Sequence, residues 1–312
     1  MSSYGLNQSS SPDKELVKTA LDKIRDEQVL KNARTGKAEA TDPVVFTQDV
    51  ATNAAVISTT QGGGGYFEKS LDDVSTNKSV AINSPAPKTT LIANFKKDLD
   101  IARTFMADQQ HSSVAKAVRG NVGSWMASRD RNAMQVYALG FTTQQTIDVV
   151  SLFNNSHVND NGDTIDNSET GALTDSTLNT SVVRLRNQVN QTGVKVGYEP
   201  DFLLCSNDGH KNASAIAKSV LRSGSGNNDQ NYYSENFPGM RVVFNQFLDE
   251  TSTTAYFIGA QGHGVTRFVR EALFTDLVDW KTQRNDVYIY KLRAREEVDS
   301  IEYSGLVGST GV

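Results

Sequence analysis

Cys205-Ser206-Asn207-Asp208-Gly209-His210 sets a thiol, a hydroxyl, a carboxylate and an imidazole along one short stretch. The chemistry this suggests is nucleophilic hydrolysis, with Cys205 or Ser206 attacking and His210 as base. Such groups work only when nucleophile, base and orienting partner converge in hydrogen-bond contact, and they usually come from separate parts of a fold. A strand running into a helix explains the same residues, with Cys205 buried and Asn207 or Asp208 as cap. His111, His157, His210 and His263 show no paired spacing, and no zinc-type cluster exists. Asn159, Asp160, Asn161, Asp163, Asp166 and Glu169 could offer oxygens to calcium, but Thr164 stands where the calcium loop needs glycine, so the stretch reads as a solvated loop. The Gly62–Gly65 run lacks a Lys-Ser/Thr at phosphate-loop spacing and reads as a hinge or turn. Lys291, Arg293, Arg295, Glu296, Glu297 and Asp299 read as a solvated or intersubunit ion-pair surface. No catalytic, cofactor or metal residue is assigned, and the chain is read as a non-enzyme.

The totals narrow the class. The chain has 312 residues and a formal net charge of -5, enough length for two lobes and no basic surplus for gripping phosphates. Cys205 is the single cysteine, so no internal disulfide forms, and a reducing compartment is the simplest reading. No signal peptide is expected at the polar start, nor any membrane span.

The element that would position everything else is Gln110–Leu139. Val114, Val118, Val122, Trp125 or Met126, Ala133, and Val136 or Tyr137 recur at three- and four-residue steps, the period of one helical stripe. Lys116, Arg119, Arg129, Asp130 and Arg131 fall between them. About 30 residues at 1.5 Å each make a spine of roughly 45 Å. Gly120 and Gly123 predict a kink or a close neighbour. Upstream, Ser11-Pro12 opens a helix with Leu16, Val17, Ala20, Leu21, Ile24 and Leu30 on its apolar face and Gly36 as stop. That helix packs either on its own domain or on a neighbouring copy. Residues 44–95 offer short strands at Val44–Phe46, Ala55–Ser58, Tyr66–Lys69, Val80–Ile82 and Leu91–Phe95 around the polar segment Asp72–Lys78, as a protruding hairpin would.

After the spine, a helix over 173–193 is predicted, capped by Thr174 or Asp175, striped by Leu178, Val182, Leu185 and Val189, and ended by Gly193. Phe202–Ser206 reads as a buried strand. Asp208–Leu221 reads as a helix with Ala213, Ile216, Ala217 and Val220 inward, and Ser223–Asn231 as a loop. Arg241–Asn245, Tyr256–Gly259, Val265–Val269, Asp286–Ala294 and Ile301–Tyr303 read as strands. The class is α+β, a sheet flanked by helices.

The succession of short motifs resembles the major head (capsid) proteins of tailed bacteriophages, with their Hong Kong 97-like fold, and is nearest to the Mu-like major head subunits. Ser151–His157, SLFNNSH, resembles the family's LF-x-x-x-H segment after the spine. It is followed by an Asn-rich loop, Leu173-Thr174, a helix, and the strand Pro200-Asp201-Phe202-Leu203-Leu204. Asn212–Leu221, Asn227–Asn231, Arg241–Asn245 and the Arg129-Asp130 pair continue the likeness, which covers about residues 96–300. Val158 and Asn207 depart from it, each standing where the family has Pro.

The resemblance implies an N-terminal arm (1–44), an extended β-hairpin loop (45–95), a peripheral domain with the long spine helix (96–170), an axial domain with a helix-flanked sheet (171–274), and return strands to the peripheral domain (275–312). It implies a structural major capsid protein that self-assembles through hexamers and pentamers into an icosahedral or prolate head. That head would enclose double-stranded DNA without sequence-specific binding. Scaffold, portal and possibly decoration proteins would be its further partners, with no membrane. Assembly would occur in the host bacterial cytoplasm, and the product would be the virion capsid. One family member joins subunits through a Lys–Asn isopeptide bond; Lys69 and Lys78 would be candidates for that lysine, with no matching signature for the asparagine and glutamate. The competing readings are another phage structural component, a decoration or tail protein, and the hydrolase built on Cys205, Ser206 and His210.

Overall fold

The structure, a computed structural model, describes residues 14–34, 45–58, 87–108, 111–221, 229–279 and 286–312. The Ser11-Pro12 start, the Gly36 stop, the glycine run, the strands expected at 66–69 and 80–82, the 72–78 segment, Lys69, Lys78 and most of the 223–231 loop lie outside the described residues.

In chain order come an N-terminal helix (Lys14–Arg34), β1 (Thr47–Val50), β2 (Ala55–Ser58), β3 (Lys88–Leu91), β4 (Ala93–Ala102), a short helix (Arg103–Ala107) and the spine helix (His111–Ala138). Then follow β5 (His157–Val158), β6 (Thr164–Ile165), β7 (Ser168–Glu169), a helix (Asp175–Asn187), β8 (Pro200–Ser206), two helices (His210–Ala217 and Tyr232–Asn236), β9 (Arg241–Asn245), β10 (Tyr256–Ala260), β11 (Val265–Val278), β12 (Val287–Ser300) and β13 (Leu306–Ser309).

Two sheets organise them. A four-stranded sheet runs β1-β11-β12-β4, in which the long β11–β12 antiparallel pair carries β4 antiparallel on one side and β1 parallel on the other. A five-stranded sheet runs β7-β13-β10-β8-β9. Its β8–β9 pair is parallel, so a crossover is required, and the two helices between those strands supply it. Short ladders join β2 to β3 and β5 to β6.

The spine forms where its period placed it. Val114, Val118, Val122, Met126, Ala133, Val136 and Tyr137 are buried, and Met126 rather than Trp125 takes the deeper position. The helix runs without a break through Gly120 and Gly123, and a Cβ at either would meet nothing within 4 Å, so the expected close neighbour is corrected. Asp130 is also corrected: the 114-118-122-126 step lands on it, and it is buried.

The N-terminal helix packs on its own subunit. Val17 and Leu21 join Val118, Val122, Leu277 and Tyr290 in one apolar cluster. Leu16, Ala20 and Leu30, expected on that face, are exposed, because the inward stripe is Val17, Leu21, Ile24 and Val29. A second cluster lies under the helices of the five-stranded sheet, and a third fills the junction between the sheets. At that junction the Phe153 ring lies 5.1 Å from Phe257 and 5.0 Å from Phe141, centroid to centroid. A Cβ at Gly140 or Gly308 would meet the Phe153 ring at 2.7 or 2.8 Å, so only glycine lets the ring in.

Other boundaries move for local reasons. The helix Asp175–Asn187 opens on a reciprocal cap between Thr174 and Thr177 and ends well before Gly193, whose φ of +79° serves the following turn. The helix His210–Ala217 is shorter than expected and leaves Val220 exposed. Of the strand expected at 44–46, the described residues Val45 and Phe46 form none; they are instead plugs in the junction core. Ile301–Tyr303 is not a strand either. The 275–312 segment returns only in part to the four-stranded sheet. β12 pairs there, but the chain turns at Gly305 (φ +74°), and β13 enters the five-stranded sheet beside β10 and β7.

Candidate functional site

The stretch singled out for nucleophilic chemistry folds as structural residues. Cys205 ends deep in β8, its thiol directed to the Val243 carbonyl at 3.5 Å. Burial, helped by the charge of Asp249, pushes that thiol up to about 12, so it stays protonated. The Ser206 hydroxyl donates to the Thr253 carbonyl and accepts the Gly209 amide at 3.0 Å. It braces the turn leading into the helix, whose start has no side-chain cap; Asn207 and Asp208, expected to cap it, are exposed. His210 packs its ring on Phe244 at 4.4 Å between centroids. Nucleophile and base are not brought together here.

His157, His210 and His263 sit at three separate places. His157 is buried, with Nδ1 facing an Asp148 carboxylate oxygen at 2.6 Å, Nε2 facing the Leu152 carbonyl at 3.2 Å, and its ring stacked on Tyr303 at 4.1 Å. It pins the segment after the spine to the C-terminal chain. Burial opposes ionisation of Asp148, but hydrogen bonds from His157, Thr146 and the Val150 amide outweigh it and hold the carboxyl below its usual range.

The polar 158–170 segment is corrected from a solvated loop to a folded one. The Asn159 side-chain oxygen accepts the amides of Asn161 and Asp163, and Gly162 (φ +83°) supplies the turn. Asn167 is fully buried, bonded to the Leu152 and Tyr303 carbonyls and to the Asn154 amide. Among the described residues no group of three or more His, Cys, Asp or Glu is placed to hold a metal ion. A shallow depression beside β7 is lined by Asp166, Glu169 and Arg184, and the Arg184 guanidinium pairs with both carboxylates and so offsets one of their two charges from within.

At the charged end of β12, Lys291 and Arg293 are exposed as expected, but the acidic residues are corrected. Glu296 is buried, paired with Arg129 of the spine at 2.7 Å and with Arg267 of β11 at 3.6 Å. Glu297 accepts from Asn132 at 2.8 Å. Asp299 is 8% exposed and accepts from Lys88, Thr90 and Gln144. These are internal bonds of one subunit, formed with partners up to 211 residues away, which no local charge pattern reveals.

Large apolar side chains are exposed on the β2–β3 ladder and on the five-stranded half. In the β2–β3 ladder, Ala55 stands opposite Leu91 and Ile57 opposite Thr89, so these four side chains share one face. Ile57 is 69% exposed and Leu91 72%. The other face, with Val56 and Thr90, lies on the body. On the five-stranded half, Phe244 on the edge strand β9, with Val220, Leu221 and Tyr232, is exposed as well. No described helix is long and apolar enough to cross a membrane.

Solved structures share this architecture at low identity. The virus-like particle from Pyrococcus furiosus superposes with a TM-score of 0.53 at 10% identity, over 92% of this chain and 98% of that one. A structure of Mycobacterium phage Adephagia gives 0.50 at 12%, over 85% and 87%. The holo-SrpI encapsulin complex from Synechococcus elongatus PCC 7942 gives 0.50 at 10%, over 86% and 85%. No curated protein sequence matches. These likenesses speak for the fold alone, which phage heads share with other shells. The sequence itself separates the two, because residues 126–308, more than half the chain, match the phage capsid protein family. The chain therefore belongs to the phage capsid protein family, with the Hong Kong 97-like fold of tailed-bacteriophage head subunits.

Proposed function

We propose that this capsid shell protein assembles with copies of itself, grouped as hexamers and pentamers, into an icosahedral or prolate head enclosing double-stranded DNA. The observation that carries the reading is the two-faced β2–β3 ladder, docked by Val56 and Thr90 and bare at Ile57 and Leu91. An apolar face held away from its own core is of use where a neighbouring copy covers it. Heterologous contacts of that kind close into rings, and interfaces above ~1,000 Å² make them stable. In this reading residues 1–44 are an arm and 45–95 an extended loop. Residues 96–170 with β11 and β12 form a peripheral domain, and 171–264 with β13 an axial domain. The net charge of -5 suits DNA confined by volume rather than gripped at each phosphate. Scaffold and portal proteins would complete assembly in the host cytoplasm, and the virion capsid is the destination.

The test is direct. Purified chain viewed in negative stain and by sedimentation is expected to give particles or free capsomers. The Ile57→Asp, Leu91→Asp double variant is expected to stay a folded monomer. Wild-type monomer at every concentration and salt, or particles from the double variant, overturns the reading.

A further inference from the structure

We propose that the Asp299 carboxylate is a positioning residue that sets the direction in which the β2–β3 ladder leaves the subunit, and through it the curvature of the shell. The inference rests on the assembly reading, and adds to it the residue that fixes the angle between neighbours.

The ladder is attached at two points of different character. Its inner end is held by backbone and apolar contacts: the Ala51 amide, between β1 and β2, donates to the Val269 carbonyl of β11 at 2.9 Å, and Ala51, Ile92 and Phe268 form a small buried cluster with Val56 and Ile301 packed against it. Only three side chains there are buried, too little grease to define a bearing alone. The outer end is held by charge. Lys88 faces Ser58 in the outermost described pair of the ladder. Its ammonium donates to Asp299 at 2.6 Å, to the Gln145 carbonyl at 2.6 Å and to the Ser300 carbonyl at 2.7 Å, which uses all three of its donors. The same Asp299 oxygen accepts from Gln144 Nε2 at 2.6 Å and from the Ser300 amide at 2.8 Å, and the other oxygen accepts from Thr90 Oγ1 at 2.5 Å.

One carboxylate thus gathers the ladder, the turn after the spine and the end of β12. Two separated attachments fix a direction where one leaves a pivot. Asp299 is nearly enclosed, so its bonds are little weakened by water. The apolar face of Ile57 and Leu91 turns with the ladder. The angle it presents to a neighbouring copy is therefore the angle held by Asp299. A closed shell needs that angle to repeat from subunit to subunit.

The experiment uses the full chain as Asp299→Asn, and as the pair Lys88→Met with Asp299→Asn, which leaves no buried ammonium without its counter-charge. Hydrogen exchange on the free subunit is expected to quicken about tenfold at residues 55–58 and 88–91, with the β11 amides and the β12 amides before Asp299 unchanged. Electron microscopy is expected to show shells of mixed diameter or open sheets in place of one uniform closed particle. Ladder amides exchanging at the wild-type rate, ladder and β12 before Asp299 loosening together, or uniform wild-type shells from the paired variant would each overturn the proposal. A wild-type chain that forms no particle overturns the assembly reading instead, and the exchange rates of the free subunit still judge the clasp.

Discussion

The side-chain amide of Asn245 donates to a carboxylate oxygen of Asp130 at 2.9 Å, and this buried bond ties the edge strand of the five-stranded sheet to the helix that packs on the four-stranded one. It is one of four bonds from a single helical turn. Arg129 reaches Glu296, Arg131 reaches Glu250, and Asn132 reaches Glu297. The turn is the joint between the two halves. Asn245→Ala strips a donor from a buried carboxylate, which costs about 1–3 kcal/mol. Urea unfolding followed by circular dichroism is expected to show an earlier midpoint with one transition retained. A midpoint within error of wild type removes Asn245 from the joint.

Val118 and Trp125 look interchangeable as stripe positions in the sequence, but the structure separates them. Val118 has no exposed surface, whereas Trp125 is half-buried with the Arg129 guanidinium 5.7 Å over its ring. Val118→Asp places an unpaired charge in the core and is expected to cost more than about 4 kcal/mol, enough to leave no soluble folded subunit. Trp125→Asp can turn toward water and is expected to cost less than half of that. Thermal melts and soluble yield compare the two, and equal losses would mean the spine is buried all round.

What was legible in the residues was periodicity. The spine, β8, β9, β10 and the α+β class follow from apolar spacing, because burial imposes a period of 3.6 or 2 on any element with one buried face. What stayed hidden was every buried polar group whose partner is remote. Asp130, Glu296, Asp299, Asn167 and His157 carry no local mark of burial, and their partners arrive only when the sheets close. Asp299 and Lys88 are 211 residues apart. The motif ending at His157 drew notice by resemblance, yet its role depends on Asp148 and Tyr303, which no spacing rule links to it. Ser206 is a nucleophile by type, yet its hydroxyl braces the turn before the helix, a use that leaves no separate mark in the sequence.

Cys205 offers a clean measurement on the rejected catalytic reading. With its thiol pushed up to about 12 by burial, the thiolate share at pH 8 is about one in ten thousand. Iodoacetamide is therefore expected to label the native chain only at the rate of its opening, and to label the urea-unfolded chain quickly. Labelling of the native protein as fast as a free thiol would restore an accessible nucleophile at the end of β8.

Asp22 should make the N-terminal helix acid-sensitive. Its carboxylate accepts from Thr275 at 2.6 Å and Tyr290 at 2.7 Å and pairs with Lys18 at 2.9 Å, so it carries the polar half of the contact between that helix and the four-stranded sheet. Burial opposes its charge, but the bonds from Thr275, Lys18 and Tyr290 and the nearby Arg25 prevail, and the folded carboxyl lies below the ordinary 3.8. A group depressed on folding stabilises fully above its unfolded value and loses that contribution as pH falls through the folded one. The window thus opens below about pH 4. Asp148 is depressed as well and weakens in the same window, but at the turn after the spine rather than under the helix. Limited proteolysis across pH 5 to 2.5 is expected to expose Lys14–Arg34 before β11 and β12. Asp22→Asn, which keeps the shape and loses the charge, is expected to show that exposure already at neutral pH, with little further change on acidification. If the variant's helix stays protected at neutral pH, the Val17 and Leu21 contacts hold it alone and the carboxylate is incidental.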